Sequence, residues 1–149
     1  MSLRKKVQYW FPVVLWIGVI FWMSTGVFSS QNTFLFFEPL FRFFAPSISQ
    51  KEMVVLHTIL RKMAHFTEYF ISGLLLFRAF RNGSDKRREW IWAASSLFVV
   101  VVIAASDEFH QSFVFTRTAS LVDVGIDFVG GFLAQSVSVL MFQRQKNES

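Results

Sequence analysis

The sequence contains no cysteine, and charged residues occupy only 17% of its 149 positions. Without cysteine, the chain has no structural disulfide, no thiolate metal site and no cysteine nucleophile. It also lacks the H-E-x-x-H and G-x-S-x-G patterns and any nucleotide-binding loop. No common zinc-protease, serine-hydrolase or nucleotide-binding motif therefore identifies a function for this chain.

Apolar side chains are present in large excess. Hydrophobic residues make up 53% of the chain, including twenty phenylalanines and five tryptophans, and the mean hydropathy is +0.42. Soluble domains are less apolar than this. The net charge of +5 comes from basic clusters between apolar runs, an arrangement that fits anionic lipid headgroups better than nucleic acid. The composition predicts a membrane protein whose partners are membrane lipids, with no nucleic acid partner.

Four segments are apolar enough to be read as helices that cross a bilayer. The first follows a basic cluster and has the outline of a signal peptide, but its apolar run is longer than such peptides usually have. No internal repeat is visible. We predict an all-α polytopic membrane protein, a single domain over residues 1–149 that forms a four-transmembrane-helix bundle with spans near 9–28, 54–80, 90–106 and 121–142.

The segment 34–44, FLFFEPLFRFF, belongs to none of these spans. Its phenylalanines are interrupted by Glu38, Pro39 and Arg42, which suits a short helix or re-entrant piece at the membrane interface. A loop packed over the ends of the spans is an equally good interpretation.

Basic residues are distributed unevenly between the two sides that four spans would create. The side with both termini and the loop after the second span has ten, and the other side has five. Because cytoplasmic loops are enriched in lysine and arginine, we predict that both termini are cytoplasmic. The segments 29–62 and 107–120 then lie outside the cytoplasm.

Polar side chains form a stripe along the second and fourth spans. Residues spaced three and four apart lie on one face of a helix. The small residues of the fourth span would let another helix approach closely, and Asp127 would then meet Arg61, Lys62 or His65. The stripes consist of Arg61, His65, Glu68 and Ser72 on the second span, and of Asp123, Asp127, Gly130, Ala134 and Ser138 on the fourth.

The topology brings these stripes to the same membrane boundary as the end of the third span, where Asp107, Glu108 and His110 follow. Ionisable residues at this depth are costly and usually mark a functional site. Mutual pairing that only fixes helix register is the alternative, but buried ion pairs are weak stabilisers. His57 lies apart from these groups, and we predict that it is solvated or interfacial.

Imidazole and carboxylate groups suit either a divalent metal or general acid–base catalysis. The identity of such a metal stays open, and its candidate ligands are His65, Glu68, Asp107, His110 and Asp127. We predict catalytic roles for these five residues together with Glu108 and Asp123. Lys62 and Arg117 would hold a phosphate or carboxylate. The predicted substrate-binding residues are Lys62, Arg117, Gln111, Ser30 and Gln31.

These motifs resemble those of the VanZ-like family of small bacterial membrane proteins, over nearly the whole chain. One departure concerns the loop before Arg117, where the family usually has Pro-Gly and this chain has Phe115-Thr116. A different turn is therefore expected there. The resemblance rests on Ser29-Ser30-Gln31, on Lys62-x-x-His65-Phe66-x-Glu68-Tyr69, on Asp107-Glu108-x-His110-Gln111-x-Phe113 with Arg117, and on Asp123-x-x-x-Asp127-x-x-Gly130.

The resemblance implies a protein of the bacterial cytoplasmic (inner) membrane, linked to resistance against the lipoglycopeptide teicoplanin. Its polar site would face outward and act on an envelope lipid, a lipid-linked precursor or a lipoglycopeptide. Hydrolysis or transfer at a lipid-linked phosphate is one hypothesis, and non-catalytic binding or shielding is a second. A proton-coupled transporter is a third, although such proteins place ionisable residues at the membrane midplane.

Overall fold

The computed structural model describes residues 3–84, 88–113 and 120–148. Within these ranges the chain forms five α-helices and one short 3-10 turn, with no strand. The predicted all-α class is confirmed. The helices are α1 (Leu3–Met23), α2 (Ser30–Phe44), α3 (Gln50–Arg81), α4 (Glu89–Ser112) and α5 (Leu121–Asn147), and the turn is Gly26–Phe28.

Three of the described helices, α1, α4 and α5, are long and apolar enough to cross a membrane. At 1.5 Å per residue, the 32 residues of α3 reach roughly 48 Å, which exceeds the thickness of a bilayer core. Its polar stripe makes it less apolar than the other three helices. The predicted count of four spans is therefore supported for three helices and stays a prediction for α3.

Two helix boundaries differ from the predicted spans in ways that affect the site. α1 ends at Met23, five residues before the predicted end of the first span. α4 continues to Ser112, so Asp107 and Glu108 lie within the helix and not just past its end. Asp107, Glu108 and Gln111 are buried near the end of α4, where the helical backbone satisfies its own hydrogen bonds.

The phenylalanine-rich segment is helical, so its interpretation as a loop is wrong. It belongs to α2, where the side chain of Ser29 accepts a hydrogen bond from the backbone N–H of Asn32 at 3.3 Å and caps the first turn. Phe41 is buried, whereas Phe36 and Phe44 are each 77% exposed. One face of α2 thus packs on the bundle while its other face stays open, as expected of an interfacial helix.

The four long helices run alternately up and down, which gives the bundle two chemically different ends. We call them the polar end, with Ser24, Lys62, Asp107 and Asp127, and the aromatic end, with Tyr9, Phe77, Trp92 and Phe142. The contacts that show this are Ser24–Asp107 and Lys62–Asp123 at the polar end, with Tyr9–Arg78 and Trp92–Phe142 at the aromatic end.

α5 packs closely on α3 through small residues, as the spacing of Gly130 and Ala134 predicts. A Cβ atom on Gly130 would lie 2.5 Å from the backbone oxygen of Phe66. Further along, a Cβ atom on Gly73 would lie 2.6 Å from Cβ of Ala134. Only glycine allows such close approach of two helix backbones. This close packing holds Asp127, one turn before Gly130, against α3.

The surface of the bundle is rich in apolar side chains. Phe98 is 70% exposed and Leu121 is 90% exposed, although both are large hydrophobic residues. Soluble monomers rarely present extensive apolar surface. The outside of this bundle is therefore suited to contact lipid, in agreement with the three helices that can cross a membrane.

Candidate functional site

A cavity of about 640 Å³ lies at the polar end, between α1, α2, α3 and α4. One part of its wall is apolar, with side chains from the end of α1, from the 3-10 turn and from α2. The other part is polar and comes mainly from α3 and α4. The apolar part includes Met23, Val27, Phe28, Phe36, Phe37 and Leu60, and the polar part includes Ser24, Arg61, His65, Glu68, Asp107 and Gln111.

A buried hydrogen-bond cluster joins α1 to α4 at this wall. The hydroxyl of Ser24 donates to Asp107. The side-chain amide of Gln111 donates to Oδ2 of Asp107 at 2.9 Å and to Oγ of Ser24 at 3.2 Å. Asp107 is 1% exposed, so these donors stabilise a carboxylate that has little contact with solvent.

A second cluster lies where α3, α4 and α5 meet. Nδ1 of His65 is 3.3 Å from Oδ1 of Asp127, at ion-pair distance but outside hydrogen-bonding geometry. Asp127 is fully buried. Glu108, from α4, accepts a hydrogen bond from the backbone N–H of Ser120 at 2.7 Å. One ligand atom from each of His65, Glu108 and Asp127 lies within 4.8 Å of the others, so this trio could hold a metal ion.

Two basic residues of α3 lie at the polar end. Nζ of Lys62 binds Oδ1 of Asp123 at 2.8 Å in a partly exposed ion pair. The guanidinium of Arg61 donates to the backbone oxygen of Phe28 at 3.2 Å and lines the cavity. Lys62 thus pairs with Asp123 while His65 approaches Asp127. Among the three partners predicted for Asp127, the structure selects His65.

His57 is buried, so the prediction of a solvated His57 is wrong, and its position at the membrane interface stays a prediction. It is 3% exposed, and its Nε2 lies 3.0 Å from Oγ1 of Thr33. The ring of Phe34 packs edge-on against it with centroids 5.5 Å apart. Because α2 folds back over the start of α3, His57 connects these two helices and lines the cavity.

The structure brings most of the predicted site residues together, but not all of them. His110 is exposed on α4 and contacts the ring of Phe21. Ser30 and Gln31 are exposed in the first turn of α2. Their neighbour Ser29, in contrast, is buried and caps the N-terminus of α2. Arg117 lies outside the described residues.

Two contributors besides His57 were not predicted as site residues. Ser24 contacts Asp107 directly, yet in the sequence it is only one small residue at the end of an apolar run. The hydroxyl of Tyr69 is buried one turn after His65. Its i+4 spacing from His65 is the signal that could have added it to the site.

Comparison with known families agrees with the motifs. The VanZ/LLP1 family model matches residues 9–142, a range that contains every residue of the two clusters. No curated protein and no solved structure matches the chain significantly. Since the family match covers nearly the whole sequence, the chain belongs to the VanZ/LLP1 family.

Proposed function

We propose that this protein binds an amphiphile of the bacterial envelope, a lipid or a lipoglycopeptide such as teicoplanin, in the cavity at the polar end. The supporting observation is the division of the cavity wall into an apolar and a polar part. The volume of about 640 Å³ is typical of small-molecule sites, which span about 300–1,000 Å³. An acyl chain suits the phenylalanine-lined part, and a headgroup suits the polar part.

The polar part of the wall offers both donors and acceptors to a headgroup. Arg61 can donate two hydrogen bonds to a phosphate or carboxylate. Glu68 and Asp107 accept hydrogen bonds from hydroxyl or ammonium groups. A headgroup that carries an anion together with sugar or amine groups would therefore pair with both the donors and the acceptors of the polar part. A simple anion would pair only with the donors.

The orientation of the protein is part of the proposal. The alternating helices put both termini at the aromatic end, together with Arg78, Arg81 and Arg144. By the preference of basic residues for the cytoplasm, the aromatic end faces the cytoplasm and the cavity faces outward. Envelope lipids and lipoglycopeptides are accessible on that side of the inner membrane.

The test is native mass spectrometry of the purified protein, first for co-purifying lipid and then with added teicoplanin. Ala64 lines the cavity, so Ala64→Phe should fill the apolar part and reduce bound amphiphile at least tenfold, since a blocked pocket loses its apolar contacts. Thr67→Phe is the matched control, because Thr67 is exposed on the same helix outside the cavity. Equal amphiphile content in the two variants would contradict the proposal.

A second candidate function, hydrolysis or transfer at a lipid-linked phosphate, is favoured by the position of His65. Its imidazole lines the cavity and lies 3.3 Å, at ion-pair distance, from the buried carboxylate of Asp127. A histidine next to a carboxylate is a common arrangement of a general base. Incubation with phosphorylated envelope lipids distinguishes the two functions, because product formation supports the enzyme and saturable binding without product supports the binder.

A further inference from the structure

The meeting point of α3, α4 and α5 contains several buried polar atoms that lack a hydrogen-bond partner among the described residues. They include Nδ1 of His65, Oε1 of Glu108 and both carboxylate oxygens of Asp127. The hydroxyl of Tyr69, one turn from His65, is also buried and also lacks a hydrogen-bond partner. These groups belong to residues that are at most 8% exposed, so solvent does not hydrate them freely.

Leaving such atoms unpaired is costly. A buried polar group without a partner loses its hydration and gains nothing in return, and the loss is larger for a carboxylate than for a neutral group. Two carboxylates, Glu108 and Asp127, lie next to each other here, and the formal charge of the trio with neutral His65 is −2. A divalent cation would neutralise that charge and would provide a partner for the unpaired atoms at the same time.

We propose that His65, Glu108 and Asp127 bind one divalent transition-metal ion, which joins α3, α4 and α5. The three ligand atoms already lie within 4.8 Å of one another. Nδ1 of His65 and Oδ1 of Asp127 are 3.3 Å apart, which is the separation of about 3.3 Å between two ligands of a tetrahedral ion with bonds near 2.0 Å.

The ligand set indicates which ions the site prefers. One imidazole and two carboxylates suit Zn²⁺ or Mn²⁺, whereas Mg²⁺ and Ca²⁺ favour oxygen ligands alone. Three protein ligands leave at least one coordination position for water or another oxygen ligand. His65 also lines the cavity, but Glu108 and Asp127 do not, so two of the three proposed ligands lie outside the site proposed for the amphiphile.

The test measures metal binding directly on the full-length chain in detergent, purified with a tag that contains no histidine. The protein is stripped with a chelator, incubated with Zn²⁺ or Mn²⁺, and freed of excess ion by gel filtration. Elemental analysis by mass spectrometry should then find about one ion per chain, as expected of a single three-ligand site. The melting temperature should rise with metal concentration, because an ion that binds only the folded state stabilises it.

Variants locate the site. Asp127→Asn and His65→Gln should each lower the metal content at least tenfold. Glu89→Gln is the matched control, since Glu89 is a buried carboxylate at the aromatic end, where it accepts a hydrogen bond from Gln143, and it should keep the wild-type content. If the ligand variants fail to fold, Co²⁺ added to the stripped wild type gives a second readout, since Co²⁺ bound to nitrogen and oxygen ligands absorbs visible light.

Three outcomes would overturn the proposal: wild-type protein that retains under about a tenth of an ion per chain, equal loss of metal in Glu89→Gln and Asp127→Asn, or a Co²⁺ spectrum like that of the aqueous ion. The first would favour protons, not a metal, as the partners of the buried carboxylates. Ala64→Phe should keep its metal whatever its amphiphile content, so failure of this proposal is distinguishable from failure of the proposed function.

Discussion

The two ends of the bundle are built from the same long helices but are stabilised in different ways. At the aromatic end, Trp92 packs edge-on against Phe77 and Phe142, with ring centroids 6.1 and 5.5 Å apart. The guanidinium of Arg81 lies 4.7 Å from the centroid of Phe142. At the polar end, the interior contains carboxylates, two imidazoles and a cavity. Burying the polar groups of the polar end costs free energy. The apolar packing of the aromatic end therefore has to stabilise the whole bundle.

The separation of an aromatic end from a polar end explains how one short chain can bury several ionisable side chains and still fold. Buried charges contribute little stability or reduce it, whereas interdigitated aromatic rings contribute both area and specific ring contacts. Asp127 and Val139 lie on the same helix, α5, so the apolar half of that helix positions its acidic half. Variants at the aromatic end should thus affect stability most, and those at the polar end should affect binding most.

The largest stability effect is expected at the aromatic end. Trp92→Ala removes a side chain that is 8% exposed and contacts two rings, and it should destabilise the protein by about 3–5 kcal/mol, the usual cost of such a cavity. Thermal unfolding in detergent measures this. Trp90→Ala is the control, because Trp90 is 70% exposed. Equal effects of the two variants would show that the aromatic cluster does not support the bundle.

A smaller effect is expected where α5 meets α3 near the polar end. Gly130→Ala places a Cβ atom 2.5 Å from the backbone oxygen of Phe66 and should cost about 1–3 kcal/mol through overpacking. Gly125→Ala meets nothing within 4 Å. It should instead stabilise α5 by up to about 1 kcal/mol, since alanine has the higher helix propensity.

The same thermal unfolding assay compares these two glycine variants. Opposite signs are the expected result. A destabilisation in both variants would mean that general effects of the added methyl group, and not the close contact with Phe66, determine the outcome.

The smallest effect is expected for the ion pair at the rim of the polar end. Lys62 and Asp123 are partly exposed and 2.8 Å apart, so their interaction should contribute about 0.2–1 kcal/mol and should weaken with salt. A double-mutant cycle with Lys62→Met and Asp123→Asn measures it. A coupling free energy well above that range would mean that this pair stabilises the fold as strongly as a buried interaction. The polar end would then contribute to stability, contrary to the comparison of the two ends.

Much of the site followed from helical spacing. His65 and Glu68 share a face of α3, as do Asp127 and Gly130 on α5, and the alternation of spans placed both faces at one end. His110 was predicted with the site, yet it is exposed. The prediction placed it in a loop beyond the third span. Because α4 continues to Ser112, the helical turn directs Asp107 and Gln111 inward and His110 outward.

The burial of His57 depends on α2, whose position the sequence did not determine. The phenylalanine-rich segment was compatible with a helix, a re-entrant piece or a loop. Once it forms α2 and packs on α3, Thr33 and Phe34 cover His57. Local spacing could not predict that burial, because it arises from contacts between residues more than twenty positions apart.

The sequence by itself determined the helical class, the apolar exterior, the family and the polar stripes, since each depends on composition or on a period of 3.6 residues. The tertiary structure decided the pairings: His65 with Asp127, Lys62 with Asp123, and Ser24 with Asp107. It also decided that α2 completes the wall of a cavity. These features depend on the close approach of helices that are distant in sequence, and where α5 meets α3 that approach requires that Gly130 has no side chain.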